Sequence, residues 1–422
     1  MTRKLLIQGA TFENKGAEAM IRCVQRGIIA KVPDAMGLLD RWPHADWSER
    51  ELRGLRPRAC LGSGGRARRV VATAIDGIGR LLPERTRARC AGALLRVDVC
   101  MDAVLDITGY GAGDAWVRAG LRGTIGRALL DDAKLLAAAG VPFVYLPQSW
   151  GPFEKSEARE MAERRMQTAL HLYVRDHWSL QWLEALPSFD AEKVSLASDI
   201  AFTFEGTSRE VGRELLSGLG LRLNDSPVVG IVPNMRIYER MEGEGPENVY
   251  IRRLVAVARH FAERLDCQVV VMPHEIKLWE SPVPDDRYLC ELIETGASGA
   301  GTVKAAVDDY SSEELKTMIG ELELLISSRY HSIIAAMSHR LPVVSVSWSH
   351  KYTELMDSVG LSEYVVECER LEDTSLIDLC GEAWTRRAKM NAALEEHVPT
   401  HEASARATLE ETVALLREHL RA

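Results

Sequence analysis

Arg329 and His331 stand one residue apart in SSRYHS, directly after the apolar run 322–326, and Trp348, His350 and Lys351 follow a second run, 342–346. An arginine fork pairs with carboxylate or phosphate, a lysine adds a point charge, and an imidazole exchanges protons near neutral pH. These residue types in this order point to an anionic small molecule with proton transfer beside it. Apolar run, polar turn, helix-like IIAAM, apolar run and polar turn make the pattern of a βαβ unit, in which ligands sit at the carboxyl ends of the strands. Arg236 in VPNMR and His274 in VVVMPHE occupy the same place after two other apolar runs.

Four turns in the first half carry weaker signals. Asn14-Lys15-Gly16 follows the first apolar run, where a glycine permits close approach and helix N–H groups favour an anion or a hydroxyl-rich ligand. Gly109, Gly111 and Gly113 alternate after AVLDIT and make either a tight turn or a bare backbone surface for substrate. Gln148, Ser149 and Trp150 lie in PQSWGPF, either as a packed turn or as hydroxyl-binding and sugar-stacking groups. Arg175 and Asp176 in YVRDHWS read as a helix start, and Asp199 sits in ASDIAF.

The 422 residues exceed one ordinary core, so two domains are expected. The net charge of −9 argues against bulk nucleic-acid binding. The eight cysteines are scattered without a CxxC pair, which suits reduced core thiols and neither disulfides nor a metal site. The first apolar segment is shorter than the roughly 7–15 residues of a signal-peptide core, and a cytoplasmic protein is expected. Charge is uneven: residues 41–96 hold 13 Arg against five acids, about +8, leaving about −17 elsewhere. The stretch RARRVVATAIDGIGRLLPE within it is either a solvated insertion or a basic amphipathic helix that touches anionic lipid at the inner face of the membrane.

Periodicity positions these residues on alternating strands and helices through both halves. The expected architecture is α/β: a Rossmann-like domain over 1–210, a second over 226–395, and a C-terminal helix over 400–422, with ligand bound in the cleft that the domains face. Residues 206–226 read as the linker. Ser311 with Glu314 fits a capping box for SSEELKTMIG.

NKGAEAM, DITGYGAGD, PQSWGPF, YVRDHWS, ASDIAF, PHE and SSRYHSIIAAMSHRLPVVSVSWSHKY occur in this order along the chain. In these motifs the sequence resembles the polysaccharide pyruvyltransferase family, whose fold is similar to two-domain GT-B glycosyltransferases. The resemblance implies that the C-terminal helix crosses back to the first domain. The resemblance implies transfer of pyruvate from phosphoenolpyruvate to a sugar, as a ketal bridging two hydroxyls, with no further cofactor. It implies catalytic roles for Arg329 and His331 of the Arg-x-His motif, and donor binding by Arg236 and Lys351. His331 is the candidate general acid, and His274 and Asp199 are candidates for base or acceptor contacts. Asn14, Gly16, Gly111, Gln148 and Arg175 complete the expected substrate contacts. The family's Asn-x-Gly-Asp-Glu turn reads here Asn14-Lys15-Gly16-Ala17-Glu18, without the acid before Glu18. That departure, in the half expected to hold the acceptor, leaves open whether the acceptor is a polymer, a lipid-linked unit or a small glycoside. Two rival readings share the architecture: a nucleotide-sugar glycosyltransferase, which uses the same cations for a diphosphate, and a non-catalytic two-lobed binding protein.

Overall fold

The structure is a computed structural model that describes residues 2–41, 48, 52–59, 83, 86, 89, 98–114, 136–277, 284–372 and 375–421. The Arg-rich insertion read over 41–96, with its basic helix, lies almost wholly outside the described residues. The chain forms two compact units: residues 1–10, 20–200 and 405–422 make the first, and residues 11–19 and 201–404 the second.

The first unit is built on a parallel sheet. Its strands are β1 (Arg3–Gln8), β2 (Ala35–Arg41), β3 (Arg56–Ala59), β4 (Ala103–Asp106), β5 (Tyr110–Ala112), β6 (Phe143–Trp150), β7 (Ala169–Val174) and β8 (Val194–Leu196). The order is β3-β2-β1-β4-β6-β7-β8, with β5 beside β6. Consecutive apolar residues explain the parallel arrangement, because a strand covered by helices on both faces has no polar side. Leu5, Leu6 and Ile7 of β1 are fully buried in this way, as is every residue of β6.

The second unit repeats the plan with β9 (Val228–Val232), β10 (Gln268–Val271), β11 (Val303–Ala305), β12 (Leu324–Ser327), β13 (Val343–Ser347) and β14 (Val365–Glu367). The order β11-β10-β9-β12-β13-β14, parallel throughout, is that of a doubly wound nucleotide-binding sheet. Its order reverses between β9 and β12, so the crevice beyond their carboxyl ends is where such a sheet takes a ligand.

Three expectations about organisation change. The segment 206–226 is not a linker, since it contains the helix Arg209–Gly218. Thr207 N donates to Thr317 Oγ1 at 2.7 Å, and Gly212 packs directly on Thr317. The terminal helix is one element, Leu376–His419, with Pro399 inside it. Proline removes one backbone donor and crowds the preceding turn, yet the helical run continues on either side. Its last part belongs to the first unit: Arg417 donates to Lys31 O at 2.6 Å, and Leu409 packs on Gly27. Thr11–Ala19 belongs to the second unit, not to the first as the sequence suggested. Backbone bonds hold it there, from Lys15 N to His274 O at 3.0 Å and from Ile276 N to Glu13 O at 2.8 Å. Among the described residues no helix is long and apolar enough to cross a membrane.

Candidate active site

At the switch point the polar break Ser327-Ser328 is stitched by side chains. Asn234, after β9, donates from Nδ2 to Ser328 O at 2.7 Å, and Tyr352 OH donates to the same oxygen at 3.0 Å. Tyr250 OH donates to Ser328 Oγ at 2.6 Å. Ser327 Oγ accepts from Arg329 N at 3.0 Å. Asn234 also caps the helix Met235–Tyr238, accepting from Arg236 N at 2.9 Å. Three strand ends are thus tied together before any ligand is considered.

Arg329 is expected to face the substrate, and in the structure its guanidinium meets two carboxylates. Its side chain is buried, with Nη1 donating to Glu275 Oε2 at 2.9 Å and Nη2 bonded to Asp286 Oδ1. Burial opposes its charge, but Asp286 and Glu275 outweigh that and hold its pKa above the ordinary value. Asp286 is itself fully buried and accepts from His274 N at 3.1 Å, Glu275 N at 2.9 Å and Met235 N at 3.1 Å. Burial pushes its carboxyl pKa up, against the pull of Arg329. A guanidinium committed to two carboxylates is a brace between the turns after β9, β10 and β12. Asp286 is the residue that sequence reasoning missed; its one signal is the acidic pair Asp285-Asp286 opening the helix Asp286–Gly296.

His331 lies in the first turn of the helix Tyr330–Ser338, one residue beyond that brace. The backbone at Gly16 sits against its ring: a Cβ there would lie 2.1 Å from His331 Nδ1. Asn14 fixes this approach as the N-cap of the helix Lys15–Gly27, its Oδ1 accepting from Gly16 N at 3.1 Å and Ala17 N at 3.3 Å. Asn14 is therefore a capping residue and Gly16 a seat for the imidazole, where substrate contacts were expected. His274 is buried, and burial, then His331, Arg329 and Lys15, hold its pKa well below 6.5, so it is a neutral imidazole. Lys15, His274, Ser312, Lys316 and His331 line a cavity of about 20 Å³. That is room for a water. Lys15 was also missed; it is buried with its Nζ 3.4 Å from Glu18 and 3.9 Å from Asp309.

The remaining expected cations gather on an aromatic cluster. Lys351 Nζ lies 4.9 Å from the Trp348 ring, 5.3 Å from Tyr330 and 5.5 Å from Tyr352. Arg236 is exposed and lies 5.8 Å from the Trp348 ring. Tyr330 links the group to His331, their rings 5.4 Å apart and nearly perpendicular. Cations held over aromatic faces in this way gain roughly 0.5–2 kcal/mol each and are preorganised. Arg236 and Lys351 thus share the Trp348 ring, and Tyr330 joins Lys351 to His331 through ring contacts.

The first-unit candidates have other work. Arg175 donates from Nη1 to Asp199 Oδ2 at 2.7 Å and from Nε to Ser149 Oγ at 2.9 Å, with both charged side chains buried. Such a buried pair is mutually neutralising. Gln148 is fully buried, its Nε2 3.4 Å from Asp106 Oδ1. Gly111 lies in β5, where Tyr110 pairs with Ser149 and Ala112 with Trp150. The two glycine-bearing turns close on each other: Asp114 N donates to Pro152 O at 3.0 Å, and a Cβ on Gly113 would lie 2.3 Å from Gly151 O.

Residues 74–350 match the family model for polysaccharide pyruvyl transferase, well over half of the chain. The chain belongs to this family. It is 23% identical over 273 residues to the amylovoran biosynthesis protein AmsJ of Erwinia amylovora, a match that covers 64% of this chain and 62% of that protein. Less than two thirds of the curated relative is thus spanned. In fold the whole chain is similar to GT-B-like enzymes. A putative UDP-N-acetylglucosamine 2-epimerase from Listeria monocytogenes superimposes with a TM-score of 0.59 at 12% identity, covering 100% of this chain and 97% of that one. A glycosyltransferase from Rickettsia africae gives 0.55 at 11% identity, covering 100% and 99%.

Proposed function

We propose that the protein is a ketal pyruvyltransferase that moves pyruvate from phosphoenolpyruvate onto two hydroxyls of a sugar in a polysaccharide, glycolipid or related glycoside. One observation supports the reading: in a member of this family, Arg236 and Lys351 both face the Trp348 ring, and the Tyr330 ring meets both Lys351 and His331. The donor bears a carboxylate and a phosphate, which suit an arginine fork and a fixed ammonium. His331 gives a proton to the enol methylene, leaving an oxocarbenium-like carbon. The first sugar hydroxyl bonds that carbon, and its proton returns to the imidazole. Phosphate leaves with the electron pair of its C–O bond. The second hydroxyl then closes the ketal, and its proton departs with phosphate.

The test is incubation of the protein with phosphoenolpyruvate and a panel of glycosides, following phosphate release and the ketal methyl signal by NMR. Both are expected, and His331→Ala is expected to abolish them while melting as the wild type does. Stabilisation by nucleotide sugars alone, with no phosphate release from phosphoenolpyruvate, would favour a glycosyltransferase and overturn the reading.

A further inference from the structure

Arg329, the expected third donor cation, is paired with Glu275 and Asp286. Phosphoenolpyruvate carries a carboxylate beside a phosphate of about −1.5 to −2, a charge that suits a further cation on the open surface. Arg240 is suited to that place. It lies four residues beyond Arg236, is exposed, and holds its guanidinium 4.9 Å from the Trp348 ring that Arg236 and Lys351 also face. Its Nη1 donates to Trp348 O at 3.3 Å, which orients the fork and commits only that one nitrogen. Among the described residues no carboxylate pairs with it. Beside it the Trp348 Nε1 donor is buried and has no hydrogen-bond partner among the described residues. Buried donors are normally paired, and an oxygen of a bound ligand would pair this one.

We propose that Arg240 is a donor-binding residue, and that with Arg236 it makes a two-guanidinium fork over Trp348 that takes the phosphate of the donor. This rests on the pyruvyltransferase reading. The test uses the full chain with Arg240→Gln and Arg240→Lys, measuring the KM for phosphoenolpyruvate, kcat, and competitive inhibition by inorganic phosphate. Arg240→Gln is expected to raise KM and weaken phosphate inhibition about tenfold each, with Arg240→Lys between it and the wild type and the loss falling on KM more than on kcat. If KM and phosphate inhibition stay within about twofold of wild type while His331→Ala still abolishes turnover, the proposal is overturned and the pyruvyltransferase reading stands. A fall in kcat and melting temperature with KM unmoved would make Arg240 a prop for Trp348 and also overturn it. Failure of the wild type itself to release phosphate from phosphoenolpyruvate overturns both.

Discussion

Gly16→Ala tests the seat of His331 with a single methyl group. The added Cβ would lie 2.1 Å from His331 Nδ1, 2.4 Å from Cγ and 2.6 Å from Cβ. Ordinary contact between such atoms is about 3.5 Å, so the ring must retreat by about 1.4 Å or the helix start must shift. Overpacking of this kind costs about 1–3 kcal/mol. Against it stands the gain of replacing a helical glycine, about 0.5–1 kcal/mol. The balance is a loss of about 1–2 kcal/mol in stability. The effect on rate is larger, because displacing a catalytic group by about 1 Å costs on the order of a hundredfold. Initial rates of phosphate release, with urea unfolding alongside, separate the two. Gly218→Ala is the control: it ends the helix Arg209–Gly218 with nothing within 4 Å of a new Cβ, and it should be neutral or slightly stabilising. A Gly16→Ala protein with wild-type rate and wild-type stability would show that the ring does not depend on this turn, and the geometry argued for His331 would be wrong.

Two further perturbations probe the groups around it. Arg329→Met strands the buried Asp286 and the partly buried Glu275, and should lower the unfolding free energy by about 3–5 kcal/mol in urea; a loss under about 1 kcal/mol would mean that the brace is not closed. Glu13 has its pKa pushed up to about 7, by burial first and by the Glu275 carboxylate second. Ionisation is thus harder in the folded state than in the unfolded one, and stability should fall as pH rises from about 4.5 to about 7. Glu13→Gln should flatten that decline, and an unchanged slope in urea midpoints across this window would count against it.

How much of this was legible in the sequence depends on range. The sheets were legible because parallel strands read as unbroken apolar runs, as in VVGIV of β9. The capping box at Ser311 was legible because its partner is three residues away, and the structure contains both of its hydrogen bonds. The pairing of Arg329 was not legible because its partners lie 43 and 54 residues distant, at Asp286 and Glu275, and nothing local announces them. An arginine at a strand end looks the same in sequence whether it faces a ligand or a buried carboxylate. The mutual pairing around Gln148, Arg175 and Asp199 was hidden for a related reason. Polar residues after buried strands must satisfy one another whenever the turn itself is buried, and here Arg175 bridges Asp199 and Ser149.

The location of the first turn alters what the family departure means. The missing acid before Glu18 was read as a change on the acceptor side. Residues 11–19 instead pack within the second unit, with Gly16 against His331 and Lys15 beside His274. At the departing position Ala17 is buried, and its N–H is held by the Asn14 cap. The retained Glu18 is also buried, 3.4 Å from Lys15 Nζ, and it accepts from Ser312 N at 3.3 Å. An additional carboxylate in this turn would draw on the same Lys15 ammonium and add negative charge close to His331 and His274. With alanine there, Lys15 and Glu18 form a near-neutral pair behind the imidazole. By this geometry the substitution lies beside His331 and His274 in the second unit.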